Sequence, residues 1–151
     1  MNQTSKKAQR ANGTISIEVV GSENGIKKLF QQGSYRFILP KNFKRIKEGI
    51  VINTAGGVTG GDRFDSYIKS SHGCSLIITT QAAEKAYEAS DDEAVFENSF
   101  KVEDGSKIYW LPQELILFSK SAVSRNTKIE VDNSSEFLAF DHVVLGRKAM
   151  G

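Results

Sequence analysis

Apolar residues recur along this chain in short runs, most of them alternating with polar residues and each closed by turn formers. The clearest runs are Ile15-Ser-Ile17-Glu-Val19, Tyr35-Arg-Phe37-Ile-Leu39, Ile50-Val-Ile52 and Leu76-Ile-Ile-Thr79. Phe96–Val102, Ile108-Tyr-Trp-Leu111, Leu115-Ile-Leu-Phe118, Thr127–Val131 and Phe137–Leu145 follow. Between them stand Asn12-Gly13, Asn24-Gly25, Asp104-Gly105 and Asp132-Asn133, dipeptides that tolerate the positive φ of tight turns. Alternation with a period of two predicts strands half-buried against a core. Leu76–Ile78 and Leu115–Phe118 are apolar throughout and predict strands buried on both faces. One stretch reads differently. Gln81-Ala-Ala-Glu-Lys-Ala-Tyr-Glu88 is rich in helix formers, with Thr80 as an N-cap and the polar Ser90-Asp-Asp-Glu93 behind it, and predicts a short helix.

The strands also repeat. Ile68-Lys-Ser-Ser-His-Gly-Cys-Ser-Leu-Ile aligns with Val102-Glu-Asp-Gly-Ser-Lys-Ile-Tyr and with Val131-Asp-Asn-Ser-Ser-Glu-Phe-Leu. The anchors Gly73, Gly105 and Ser134 fall 32 and 29 residues apart, a spacing that suggests stacked β units in a sheet that winds. Similarity between unrelated strand-turn-strand units is the competing explanation. Helical stretches do not alternate with the strands, which disfavours a doubly wound α/β fold.

Bulk properties narrow the class. The 151 residues are 39% hydrophobic and 25% charged, an ordinary globular composition. No apolar run nears the roughly 20 residues of a membrane-spanning helix. The start, with Lys6, Lys7 and Arg10, lacks the apolar region of a signal peptide. A single cysteine, Cys74, fits a reducing compartment, so a cytoplasmic protein with no membrane association is expected. The net charge of +2 conceals +7 over residues 1–50, from ten Lys/Arg against three Asp/Glu, and −5 over the rest, from ten against fifteen. The basic third reads as a solvated face or as a surface for an acidic partner. Without interleaved aromatic residues it lacks a stacking platform, and no nucleic-acid partner is expected.

The most unusual segment is Asn53-Thr-Ala-Gly-Gly-Val-Thr-Gly-Gly-Asp-Arg63, with four glycines in six residues at Gly56, Gly57, Gly60 and Gly61. It fails as a phosphate loop: Gly61 is followed by Asp62-Arg63 instead of Lys-Ser/Thr, and the dinucleotide fingerprint spacing is absent. Two readings stand. One is a strand-to-strand crossing with bulges; the other is a glycine-lined wall with Asp62 exposed toward a cation or a partner. His72 and Cys74 form an H-x-C pair that would share a face on a strand, but a closed zinc site wants about four ligands. A turn histidine beside a small buried thiol is the plainer reading. A Cys74/His142 nucleophile–base pair, with Asp141 to orient it, is the enzymatic alternative. Trp110, Tyr109 and Phe118 read as core.

Four ordered blocks carry a resemblance. Asn53–Asp62 resembles the signature of urease accessory proteins of the UreD/UreH type. Thr79-Thr-Gln-Ala-Ala-Glu-Lys-Ala-Tyr87 resembles that family's Thr-Thr-Gln block ending in Lys-x-Tyr. Trp110-Leu-Pro-Gln-Glu-Leu-Ile-Leu-Phe118 and Leu145-Gly-Arg-Lys-Ala-Met-Gly151 resemble its Leu-Pro-x-x-x-Ile-x-Phe and Leu-Gly-Arg-x-Ala-x-Gly blocks. Glu88 stands where many members place a basic residue, and members continue to nearly twice this length.

The resemblance implies a mainly β fold, a winding, β-helix-like stack of strands with one or two short helices, here an incomplete domain. Residues 1–12 would be a flexible basic tail and residues 13–151 the N-terminal part of a single UreD-type β domain, whose cut end would expose apolar surface. It further implies a non-enzymatic scaffold for urease maturation that binds apo-urease subunits and an F-type accessory protein. Through that partner it would recruit a nickel-carrying GTPase. No cofactor would be tightly bound; nickel would be in transit through an interior passage, with Asp62 as a transient oxygen contact. Thr54, Gly56, Gly57, Thr59, Gly60, Gly61, Asp62, Thr79, Thr80, Gln81, Lys85 and Tyr87 are the implied passage-lining or partner-facing residues. The alternatives are a small cytosolic enzyme using Cys74 and His142, or an unrelated β interaction module.

Overall fold

The computed structural model describes residues 10–21, 25–41 and 46–146. All regular structure in them is strand. β1 (Asn12–Val20), β2 (Ile26–Gly33), β3 (Tyr35–Ile38) and β4 (Ile46–Asn53) form a cap. Three coils follow: β5 (Arg63–Ser71), β6 (Ser75–Thr80) and β7 (Glu84–Ala86); β8 (Ala94–Val102), β9 (Lys107–Trp110) and β10 (Leu115–Leu117); β11 (Val123–Val131), β12 (Glu136–Ala139) and β13 (Val143–Leu145). Each coil gives one strand to each of three sheets. Sheet A runs β11-β8-β5-β1-β2, sheet B β12-β9-β6-β4-β3, and sheet C β13-β10-β7. Pairing between coils is parallel throughout, while β1–β2 and β3–β4 are antiparallel. The chain is a β-solenoid closed at one end by folded-back strands, so the expected winding stack is what forms.

The repeat spacing is the stacking register. Ser75 lies on Lys107, 32 residues on, and Lys107 on Glu136, 29 further. At the corner between sheets A and B, His72 and Asp104 both take φ 57°, and Gly73 and Gly105 follow at 67° and 70°. The Gly73 N–H donates to the Asp104 carbonyl at 2.9 Å, and the Gly105 N–H to Ser134 Oγ at 3.0 Å. In the third coil Asp132 takes over the corner: its carboxylate accepts from the N–H groups of Asp104 and Ser134. Hydrogen bonds from Ser135 and then the Asp104 amide hold its pKa down at about 2.

Inward residues stack on inward residues. Sheet A builds the columns Ile17–Ile68–Phe100–Ile129 and Val19–Ser70–Val102–Val131, and sheet B the column Leu76–Ile108–Phe137. Phe100 sits between Trp110 and Phe137 with ring centroids 5.3 and 5.1 Å away. Gly13 is a forced choice. It precedes Phe64 and Phe96 in its column, and a Cβ there would meet the Tyr35 nitrogen at 2.7 Å and the Phe64 ring at 3.0 Å. Tyr35 fills the space, its ring 4.7 Å from that of Phe64. In the third coil the inward Ile129, Val131 and Leu145 are 44%, 41% and 78% exposed. Among the described residues nothing pairs with the outer edges of β11, β12 and β13.

Several expectations are corrected. Residues 81–88 form no helix: Glu84–Ala86 is the strand β7, paired with β10. Thr80 caps nothing; its hydroxyl donates to the Ala82 carbonyl and accepts from the Gln113 N–H. Propensity is a weak preference, and the sheet's register overrides it. Asn12-Gly13 lies inside β1 and is no turn; residues 1–9 of the expected tail and Asn24 lie outside the described residues. Ile77 and Ile116 are only half-buried, so β6 and β10 have one buried face each. No helix among the described residues is long and apolar enough to cross a membrane.

Because Phe100 is 1% exposed at the centre of these columns, Phe100→Ala is expected to lower unfolding free energy by about 3–5 kcal/mol. Urea denaturation followed by tryptophan fluorescence would measure it.

Candidate functional site: a polar cleft beneath the glycine loop

The glycine segment is the first rung of sheet C. Val58 bridges Ala86 in parallel; its N–H donates to the Lys85 carbonyl at 2.7 Å, and its carbonyl accepts from the Tyr87 N–H at 2.8 Å. The same ladder continues one coil down, where the Phe118 N–H donates to the Ala86 carbonyl. Gly57 needs to be glycine twice over. Its φ is 131°, and a Cβ would lie 2.5 Å from the Tyr87 ring and 2.8 Å from the Lys85 carbonyl oxygen. Tyr87 itself stacks on Phe118 at 5.5 Å.

Behind this rung opens a cleft of about 240 Å³, lined by Tyr35, Asn53, Gly57, Gln81, Glu84 and Lys85 among others. A second, narrower cavity of about 40 Å³ shares Tyr35, Val51, Thr80 and Glu84 with it and reaches Ser66, Asn98 and Arg125. Together they run from the cap to the third coil, roughly 14 Å at the spacing of paired strands. The acid on this route is Glu84. Asn53 Nδ2 donates to both its oxygens, at 3.0 and 3.2 Å. Burial pushes its pKa above the ordinary carboxylate range, against the opposing Asn53 hydrogen bond. Burial likewise raises the Tyr35 phenol. Ser66 Oγ donates to Asn98 Oδ1 at 2.7 Å, both side chains buried. Arg125 Nη2 donates to Asp141 Oδ1 at 2.7 Å. An oxygen-lined cleft with one carboxylate can hold a cation weakly and let it go. Among the described residues no three His, Cys, Asp or Glu side chains converge as a metal centre would require.

Of the residues expected at the site, Gly56, Gly57, Thr80, Gln81 and Lys85 line this cleft. The others do not. Thr54 and Thr59 hydroxyls donate to the Ser34 and Glu88 carbonyls, and the Thr79 hydroxyl turns to the Thr80 carbonyl. Gly60 and Gly61 pack against Asp92 and Arg10, and Tyr87 lies on the outer surface. Asp62 is corrected: it is 4% exposed rather than open to a cation or partner. Its Oδ1 accepts from the Ala11 N–H at 2.8 Å and its Oδ2 from the Thr59 N–H at 2.9 Å. It ties the start of β1 to the glycine loop, which crosses between strands while Gly56 and Gly57 line the cleft. Tyr35, Glu84, Asn98 and Arg125 were not anticipated. Glu84 lies inside one of the resemblance blocks, so the block was a signal; Arg125 had none.

The enzymatic alternative does not assemble. Cys74 sits at the corner between β5 and β6, 2% exposed, with Ser106 and Ser135 occupying its place in the next coils. Burial raises its pKa, the opposite of an activated thiolate. His142 lies at the corner between β12 and β13, 3.6 Å from Glu114. His72 is exposed in its turn and does not share a face with Cys74.

The family model described as UreD urease accessory protein matches residues 9–151. This chain belongs to the UreD family. A urease accessory protein UreD of Rhizobium leguminosarum bv. trifolii is 42% identical over 147 residues, covering 96% of this chain and 54% of the relative. A UreD protein of Rhizobium etli is 41% identical over 150 residues, 98% of this chain and 55% of the relative. One from Agrobacterium fabrum is 41% identical over 142 residues, covering 94% and 50%. The chain thus spans about half the length of these UreD relatives.

Two outcomes are expected. Asp62→Ala leaves the partly buried Ala11 and Thr59 amides without their carboxylate acceptor and should destabilise the fold by about 1 kcal/mol for each, measured by chemical denaturation. Glu84→Gln should stabilise it at neutral pH. A raised folded pKa means that stability is full below the unfolded value near 4.3 and is lost as pH rises through the folded value. Denaturation midpoints across pH 4 to 8 should therefore fall for the native chain and stay flatter for the variant.

Proposed function

We propose that this UreD-family chain is a non-catalytic scaffold in urease maturation. It binds apo-urease subunits and an F-type accessory protein, reaches a nickel-carrying GTPase through that partner, and passes nickel along the polar cleft. The observation that carries this reading is that two of the family's sequence blocks, Asn53–Asp62 and Thr79–Tyr87, form the wall of one cleft into which Glu84 projects. Nickel is cargo here. Glu84 supplies the carboxylate of the cleft; its oxygens accept from Asn53 Nδ2, and a cation that has to displace this donor is held weakly, which is what transfer needs. A thiolate or a cluster of imidazoles would retain the ion.

The test is co-expression of the tagged chain with its cognate apo-urease and F-type protein, followed by affinity capture and size exclusion. Both partners should be retained, and Glu84→Gln should keep the complex while nickel per urease falls several-fold. Retention of neither partner, by this chain and by one extended to its relatives' length, would overturn the scaffold reading.

A further inference from the structure

The cap presents two strand edges, and the two are treated differently. β3 is the outer strand of sheet B, and β2 that of sheet A. Side chains close the edge of β3: the Phe37 N–H donates to Gln31 Oε1 at 2.9 Å, and Arg36 Nη1 donates to the Tyr35 carbonyl at 2.6 Å. The same guanidinium donates to the Gly33 carbonyl at the end of β2. Among the described residues nothing bonds the outward amides and carbonyls of residues 26–32, whose ladder to β1 uses the other side of the strand. β2 is eight residues long and contains no proline, and an unpaired strand of that kind is a template for another chain. Its protection is one-sided. The bulge at Lys27, where the register to β1 shifts, and the adjacent Lys28 guard the first residues. From Leu29 to Gly33 the strand carries no charge and pairs in unbroken register. Phe30, opposite Ser16, lies there on the outer face and is 48% exposed; Leu29, opposite Ile17, is on the inner face and 40% exposed.

We propose that the outer edge of β2 is a docking site for an extended acidic segment of a partner protein, which adds to sheet A as a further strand. Strand addition draws its affinity from main-chain hydrogen bonds and its selectivity from side chains. Lys27 and Lys28 select the sign of the charge. Lys27 stands 3.9 Å from Glu18 and is 64% exposed, a loose pair that an incoming carboxylate can replace. The balance of +7 over residues 1–50 steers an acidic chain to this end of the molecule. Leu29 and Phe30 then offer apolar contact on the two faces of the strand. The segment that fits therefore has carboxylates at one end and apolar residues beyond them. Residues 1–9 of this chain, with Lys6 and Lys7 and no acid, are not that segment. A second copy would bring its own Lys27 and Lys28 into the same ribbon, which like-charge repulsion opposes. This edge belongs to the cap, and its use does not depend on the cleft or on nickel.

The probe is a fluorescent peptide of about eight residues, the length of a strand, with glutamates at one end and valine and threonine over the rest. One control peptide has proline at its centre, and another has lysine in place of glutamate. Each is titrated by fluorescence anisotropy into the native chain, into Phe30→Ser and into the double variant Lys27→Glu/Lys28→Glu. Backbone amide exchange, read by mass spectrometry, locates the bound peptide. The acidic peptide should bind the native chain saturably, and several-fold more weakly when interrupted by proline. Phe30→Ser, which leaves the charge in place, should weaken it several-fold. The double variant should lose the acidic peptide and take up the lysine peptide. On binding, exchange should slow at residues 26–33 and stay unchanged at residues 35–38. Absence of saturable binding would overturn the docking site. A proline-interrupted peptide that binds equally well would reduce the effect to charge alone and overturn strand addition. Protection confined to other strands would do the same, as would an unliganded chain that runs as a dimer with residues 26–33 already protected.

Discussion

In-register parallel stacking is the constraint on which the rest of this molecule depends. In sheets A and B a residue that faces inward in the second or third coil sits on the residue 32 or 29 places earlier, and in sheet C on the residue 31 or 28 places earlier. Hydrogen bonds then run along the solenoid axis, and every side chain is judged by its column. Apolar columns such as Ile17–Ile68–Phe100 exclude water along their whole length and carry the hydrophobic driving force. Where a column changes chemistry, the interior becomes polar. Ile15–Ser66–Asn98–Thr127 does so after its first member, and its buried polar groups are satisfied across the rung by the Ser66–Asn98 hydrogen bond.

The polar cleft lies at the end of the columns where this change occurs, and it costs stability. Glu84 faces inward at a level where the next coils place Leu115 and Val143, and its raised pKa is the thermodynamic mark of a carboxylate kept from water. Asn53 offsets part of that cost by donating to both oxygens. A leucine at position 84 would continue the sheet C column more stably. A residue that breaks the local rule without a packing benefit is the kind expected where function sets the choice.

Much of this architecture was legible from the chain. Gly73, Gly105 and Ser134 announced the coil period, and most strands followed from alternation. Two long strands were less visible: Arg63–Ser71 places Ser66 and Ser70 inward, so its apolar face looks polar in sequence, and Ile26–Gly33 covers little of the core. Gln81–Glu88 misled because its helix formers describe local preference, while its conformation is set by pairing with Leu115–Leu117 and the Val58 bridge. The glycine loop stood out as unusual, but Asp62 was assigned to the wrong side of it. A carboxylate beside glycines reads as an open ligand until its two backbone donors, one of them 51 residues away, are known. Arg125 could not be found, since its relation to Glu84 exists only through the register of three coils.

That register also explains how sequence blocks far apart in the chain act as one surface. Val58 and Ala86 are neighbours on one ladder, so the glycine loop and the Thr79–Tyr87 block are a single wall separated by one rung. A bulky residue at 57 would push Tyr87 off Phe118, loosen the rung and move Lys85 at the mouth of the cleft. The solenoid thereby couples the shape of the opening to the packing of the second coil. The positions that line the cleft are therefore also positions that hold the coils in register.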